Sequence, residues 1–250
     1  EAVKTNVMGS QNVIDVCMEK EVEMSMAISS DKAVSPLNTY GATKLVMEKI
    51  FMAANFYKGY KDIIFTAVRY GNVFGSRGSV IPKFFQSIIN SKNILITDPD
   101  MTRFNIMLPE ALELILSSLK IAKGSETFIP QLKAYKLQDL AEALIDLLNI
   151  DVKINYSSIR PGEKMHEALI NEFEAPYCVE SENKYILLPS QTFEKSSNLY
   201  PNQKFADLTG KYSSDKAPLL SKTELKEIIK SYLQNSPFSN EFKKFQPDSA

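Results

Sequence analysis

Met24-Ser-Met-Ala-Ile-Ser-Ser30 and Ile63-Ile-Phe-Thr-Ala-Val-Arg-Tyr70 are two apolar runs of strand length, and a helical pattern from about Asn38 to Tyr57 separates them. The second run is β-branched and aromatic and apolar nearly throughout, as strands covered on both faces tend to be. Between the runs Leu45, Val46, Ile50, Phe51 and Ala54 recur on a helical period, Ser35-Pro36 reads as a cap with proline in the first turn, and Gly59 reads as a stop. Strand, helix of about 20 residues, strand is a βαβ unit, which makes the two strands parallel.

The same alternation extends outward. Upstream, Glu1 to Glu19 reads as a helix with Val3, Val7, Val13, Ile14 and Cys17 on its period. Downstream come a glycine-punctuated loop, Gly71 to Ser79, a helix at Ile81–Asn90, a short strand at Ile94–Thr97 and a polar loop through Arg103. A helix at Leu108–Ala122, a strand at Glu126–Ile129, a helix at Lys136–Leu148, a strand at Lys153–Tyr156 and a short helix at Lys164–Ile170 follow. Beyond Asn171 the pattern loosens until Lys222–Leu233, a helix whose Ser221 and Glu224 form a capping box. Asn235 to Ala250 is polar and reads as a frayed end. The fold expected is α/β: a Rossmann-like doubly wound parallel sheet, represented by its C-terminal part, with a smaller α/β substrate lobe at the carboxyl ends of the strands. Residues 1–150 are assigned to the dinucleotide-binding domain with a substrate-contacting insert at 76–104, residues 151–235 to the lobe, and residues 236–250 to a flexible tail.

Composition narrows the function. The 250 residues are 44% hydrophobic and 24% charged, with Lys+Arg 29 against Asp+Glu 30. A net charge of −1 offers no overall basic field for nucleic acid or an anionic membrane, so any anion must be held by local groups. No apolar run approaches the roughly 20 residues of a membrane span, so no membrane contact is expected from this segment. Cys17 and Cys178 cannot build a disulfide framework; both read as buried free thiols, consistent with a reducing, cytoplasmic setting. The single His166 has no neighbouring histidine or cysteine, so no metal site is expected. Met18, Met24 and Met26 read as core filler.

The chemistry concentrates around Ser29-Ser30-Asp31-Lys32 and Tyr40-Gly-Ala-Thr-Lys44. Tyr40 and Lys44 stand at i and i+4 on one helix face, where the ammonium can sit beside the phenol oxygen and favour its ionised form. Such a phenolate can take a hydroxyl proton while hydride leaves the same carbon. A solvated helix face would give the same spacing; the strand and its polar end, just upstream, raise this pair above that. Gly71-x-x-x-Gly75-x-x-Gly78 matches neither the dinucleotide fingerprint nor a P-loop and reads as a loop passing close to ligands.

In these residues, and in Lys4-Thr-Asn-Val-Met-Gly-Ser-Gln-Asn-Val13 and Arg69-Tyr-Gly-Asn-Val-Phe-Gly75, the sequence resembles the extended short-chain dehydrogenase/reductase family over nearly its whole length. Ser-Asp-Lys-Ala33, Arg77-Gly-Ser-Val-Ile-Pro82, Met101-Thr-Arg-Phe104 and Arg160-Pro-Gly-Glu-Lys-Met-His-Glu167 resemble the inverting UDP-N-acetylglucosamine 4,6-dehydratases within it. The resemblance implies a hydro-lyase acting on UDP-N-acetylglucosamine or a related nucleotide sugar in polysaccharide biosynthesis, with NADP as cofactor and NAD as the alternative. It makes Tyr40 the base at the sugar C4 hydroxyl, assisted by Lys44, Lys32 the base at C5, and Asp31 the acid for the departing water. Ser29, Ser30, Tyr40, Lys44, Tyr70 and Asn72 are then the cofactor contacts, and Asn72, Arg77, Arg103, Arg160 and Glu163 the substrate contacts, with paired arginine donors suited to a diphosphate.

Asp31-Lys32 separates this reading from its rivals, because retaining dehydratases of the superfamily carry Asp-Glu here and simple 4-epimerases usually lack the adjacent pair. A non-catalytic dinucleotide-binding protein is the rival of another class. A homo-oligomer is expected. Because the helical pattern starts at Glu1, the chain is expected to begin inside a domain; members of the family carry a glycine-rich strand-turn-helix and further units upstream, about 80 to 110 residues at roughly 25 to 30 per step. A segment without them is expected to bind cofactor weakly and to expose a sheet edge.

Overall fold

The computed structural model describes residues 1–245 and leaves 246–250, the end of the expected tail, outside the described residues. The first helix opens with a six-residue π-helical stretch, Val3–Met8, before continuing as α1 (Gly9–Glu19). Its expected apolar period is split: Ile14 is buried, Val7 and Cys17 are partly buried, and Val3 and Val13 are exposed. Strand β1 (Met24–Ser30), helix α2 (Thr39–Tyr57) and strand β2 (Ile64–Tyr70) form the expected βαβ unit, β1 and β2 pairing in parallel from Met24↔Ile64 to Ser30↔Tyr70. Asn38 rather than Ser35 caps α2, its side chain accepting from the Gly41 amide at 2.9 Å. The buried face of α2 runs through Gly41, Thr43, Met47, Glu48, Phe51 and Ala54, so Val46 of the expected stripe is exposed.

Helix α3 (Val80–Ser91) leads to strand β3 (Asn93–Ile96), and β4 (Thr102–Phe104) to helix α4 (Leu108–Ile121) and strand β5 (Thr127–Pro130). Strand β6 (Ala134–Lys136), helix α5 (Leu137–Leu148), β7 (Lys153–Tyr156) and β8 (Ala168–Ile170) come next. The short helix expected at 164–170 is extended chain ending in β8, because both sides of it are occupied: the Thr102 amide donates to the Met165 carbonyl at 3.2 Å and the Ser214 amide to the Glu167 carbonyl at 2.8 Å. Three further strands lie in the segment with the loosened pattern: β9 (Cys178–Ser181), β10 (Lys184–Leu187) and, after helix α6 (Phe193–Ser197), β11 (Lys204–Phe205). They complete a six-stranded sheet of order β1-β2-β5-β10-β9-β11, parallel through β5 as expected and antiparallel beyond it. The sheet is therefore mixed.

Strand β12 (Tyr212–Ser213) pairs with β8, and the capping-box helix α7 (Lys222–Gln234) packs on α5 with Lys222 and Lys226 both 3.0 Å from Asp146. Residues 236–245 are not a frayed tail: α8 (Ser239–Lys243) buries Phe242 against Phe85, in the same cluster as α3, α5 and α7. Residues 178–205 thus join the main sheet, while α3, β3 and α5 pack with α7, so the division drawn at 150/151 crosses both packing units.

The most buried charge sits where the layers meet. Arg69 of β2 is fully buried and makes two bidentate pairs, with Glu48 of α2 at 3.0 and 2.6 Å and with Glu174 at 2.9 and 2.9 Å, and donates to the Leu169 carbonyl at 2.9 Å. Burial raises the Glu174 carboxyl, but the charge and hydrogen bonds of Arg69, with the Asn171 amide, together outweigh it and hold the group below the usual carboxylate range. Removing one member of such a cluster strands the other charges in the interior. Arg69→Met is expected to destabilise the chain by about 3–5 kcal/mol in urea unfolding, and adding Glu48→Gln and Glu174→Gln is expected to recover part of that loss.

Candidate active site

Strand β1 ends at Ser30, whose side chain accepts from the Lys32 amide at 3.3 Å and turns the chain into the 3-10 turn Asp31–Ala33. Asp31 is buried to 2% side-chain exposure, and its carboxylate meets the Lys32 ammonium at 3.0 Å. The same ammonium donates to Asn72 Oδ1 at 3.0 Å, joining the ends of β1 and β2. Helix α2 presses on this turn: a Cβ at Gly41 would stand 2.4 Å from the Lys32 carbonyl oxygen, so only glycine lets the helix sit so close. Helical spacing puts Tyr40 and Lys44 on one side of α2, yet no hydrogen bond joins phenol and ammonium among the described residues. Lys44 instead donates to the Ile28 carbonyl at 3.2 Å, where burial lowers its ammonium against the raising effect of Glu48. Tyr40 is half-exposed.

A cleft of about 590 Å³ opens beside the turn, within the range for small-molecule sites. Its walls bring together Lys32, Asn72, Arg103, Arg160 and Glu163 of the residues singled out in the sequence. Ser29, Ser30, Asp31, Tyr40, Lys44 and Tyr70 lie outside its lining, along the carboxyl ends of β1 and β2 and the first turns of α2. Ser29 Oγ is buried without a hydrogen-bond partner, and burial pushes the Tyr70 phenol up. Arg77, expected at the substrate, is exposed and absent from the lining; the glycine loop presents Gly75, Gly78, Ser79 and the start of α3 instead. Gly75 has φ +71° and a Cβ there would enter the Tyr232 ring at 2.1 Å, which fixes the loop against α7.

Arg103 is held by the carbonyls of Thr102 at 2.7 Å and Met165 at 3.1 Å, with Glu163 at 3.8 Å and Glu167 at 3.9 Å. Lys83, Lys164 and Glu167 also line the cleft and carried no role in the sequence reading, although the last two lie inside the Arg160–Glu167 motif. In the lining, Lys32, Lys83, Arg103, Arg160 and Lys164 face only Glu163 and Glu167, a local excess of positive charge on a chain of net charge −1. The first turn of α3 adds the positive end of a helix. His166 is structural, bonded through Nδ1 to Thr102 Oγ1 at 2.8 Å.

A parallel βαβ unit with Tyr-x-x-x-Lys opening its helix, and a cationic cleft at the carboxyl ends of its strands, defines an enzyme of the extended short-chain dehydrogenase/reductase class. Residues 1–189 match the family model described as polysaccharide biosynthesis protein, and the chain belongs to that family. It is 44% identical over 238 residues to the UDP-N-acetylglucosamine 4,6-dehydratase (inverting) of Campylobacter jejuni, covering 92% of this chain and 70% of that one. It is 32% identical over 230 residues to a UDP-glucose 4-epimerase of Rickettsia rickettsii, covering 92% and 67%. Among solved structures, Pen from Bacillus thuringiensis superposes with a TM-score of 0.81 at 39% identity, covering 92% of this chain and 68% of that one.

Glu167 is buried, and its Oε2 has no hydrogen-bond partner. Burial first, and the Asp31 charge second, push its carboxyl up against the opposing pull of Arg103, Lys164 and Lys32. A raised folded value gives stability that is complete at low pH and is lost as pH climbs through that value. Glu167→Gln keeps the neutral form, so its melting temperature is expected to match the wild type near about pH 4 and to exceed it near about pH 8.

Proposed function

We propose that this chain carries out the C5-inverting 4,6-dehydration of UDP-N-acetylglucosamine, with NADP as cofactor and NAD as the alternative, in the synthesis of surface polysaccharide or a modified sugar. The observation that supports it most is the buried Asp31 carboxylate paired at 3.0 Å with a Lys32 ammonium that lines the cationic cleft. Simple 4-epimerases usually lack two adjacent ionisable groups there, which favours dehydration over the reading raised by the epimerase relative.

The residues at the strand ends fit a nicotinamide dinucleotide: a half-exposed Tyr40 ring, a Lys44 ammonium with one backbone oxygen partner, and the orphaned Ser29 hydroxyl lie together beyond β1 and β2. When bound, the cofactor would accept hydride from C4 of the sugar and return it to C6. Tyr40 takes the proton of the C4 hydroxyl as the C4 ketone forms, with the Lys44 ammonium one helical turn along the same side of α2. The Lys32 ammonium passes a proton to the Asp31 carboxylate it meets at 3.0 Å, leaving an amine and a carboxylic acid side by side. The ketone acidifies C5, the Lys32 amine removes that proton, and as the C6–O bond breaks its oxygen leaves as water with the proton of Asp31. Return of a proton to C5 from the opposite face gives the inverted sugar, and the net change is loss of one water. Arg103 and Arg160 hold the diphosphate, Asn72 lies between it and the sugar, and Glu163 accepts from the uridine ribose.

No helix of the described residues is long and apolar enough to cross a membrane. Two unpaired cysteines suit the cytoplasm, where we place the reaction. Exposed Val13 and Val16 on α1, with Val46 and Phe56 on α2, support a homo-oligomer.

With UDP-N-acetylglucosamine and NADP supplied to the complete protein, mass and NMR analysis should find a 4-keto-6-deoxy sugar with one water lost. Unchanged sugar, or a C4 epimer of the original mass, defeats the reading. Tyr40→Phe should slow turnover by about 100- to 10,000-fold. Lys32→Ala should stop water loss yet still allow the reduced nicotinamide to form.

A further inference from the structure

Residues 157–163 form neither helix nor strand, and their second half, Arg160 to Glu163, lines the cleft together with Lys164 directly after it. The loop closes on itself, the Glu163 amide donating to the Arg160 carbonyl at 3.0 Å, and Gly162 at φ +79° lies against Asn38, the cap of α2. The Lys164 side chain does not point to solvent, with 16% exposure. Its ammonium donates to the Val34 carbonyl at 2.5 Å and the Asp31 carbonyl at 3.4 Å, spanning the 3-10 turn, and stands 3.9 Å from the unpartnered Oε2 of Glu167.

We propose that Lys164 is a positioning residue, a strut that transmits occupancy of the Arg160–Glu163 loop by the uridine diphosphate to the turn that presents Asp31 and Lys32. This rests on the cleft being the nucleotide-sugar site. Two hydrogen bonds from one ammonium fix both ends of the turn, so a loop drawn onto a nucleotide pulls the turn into one arrangement, and a loose loop leaves it mobile. The turn serves water loss, whereas Tyr40 and Lys44 serve the oxidation at C4, so the strut should matter to the later step. Burial lowers the Lys164 ammonium, with Glu167 and then Asp31 opposing.

The test is amide hydrogen exchange at Lys32, Ala33 and Val34 with and without saturating UDP, in the wild type, Lys164→Met and Lys164→Arg, with UDP affinity measured by calorimetry. Expected in the wild type and the arginine variant is exchange slowed about threefold or more by UDP. In Lys164→Met UDP should still bind within about threefold of wild type but leave exchange at the turn unchanged. Given UDP-N-acetylglucosamine and NADP, the methionine variant should lose about 30-fold or more in kcat with little change in KM, and accumulate the absorbance of reduced nicotinamide. Equal protection in Lys164→Met overturns the strut. Loss of UDP binding in that variant makes Lys164 a nucleotide ligand and also overturns it. Failure of the wild type to bind UDP removes the nucleotide reading of the cleft instead.

Discussion

A guanidinium buried between two carboxylates must keep both, because it cannot find water where it sits. Arg69 imposes this on three parts of the chain at once: strand β2 that carries it, the helix that carries Glu48 together with Tyr40 and Lys44, and the segment around Leu169 and Glu174 just beyond the Arg160–Glu167 motif. Planar, bidentate contacts on both sides leave little freedom to slide or tilt. The catalytic helix and the substrate motif are thereby held to one origin, strand β2.

From that origin the reacting turn is bounded on two sides by backbone contact. Gly41 brings α2 against the Lys32 carbonyl, and Lys164 spans the turn from below. Neither contact touches a reacting atom, yet both decide where the Asp31 carboxylate and the Lys32 ammonium lie. The charges around them alternate: Asp31 and Glu167 are interleaved with Lys32, Lys164 and Arg103, and the surplus is positive. A surplus of that sign suits a dianionic diphosphate, and the unpartnered oxygen of Glu167 is the place where the cluster is least satisfied.

The βαβ unit, most helices and the cap of α7 were legible because each has a strong local signal: an apolar strand, a helical period, a Ser-x-x-Glu box. Strands β9, β10 and β11 were not, since runs of two to four residues such as Cys178-Val-Glu-Ser181 have no period to read and gain their order from pairing. Phe242 gave no warning either; an aromatic in a polar tail reveals its core role only once α3 supplies Phe85. In the site, motif residues Lys32, Asn72, Arg103, Arg160 and Glu163 line one cleft, while Ser29, Ser30, Asp31, Tyr40, Lys44 and Tyr70 lie outside its lining. Arg77 does not line it either, because the glycine loop turns its backbone rather than that side chain toward the cleft. Lys164 and Glu167 escaped notice because their partners are backbone oxygens and a buried neighbour more than a hundred residues away, which spacing cannot encode.

The central claim is that the turn at Asp31 and Lys32 performs proton chemistry at C5 of a UDP-linked hexosamine. Turnover of UDP-N-acetylglucosamine in deuterium oxide, followed by NMR of the product, reads that carbon directly. The account predicts one deuterium at C5 with the configuration there inverted. Product carrying protium at C5, or deuterium with the original configuration retained, would contradict it.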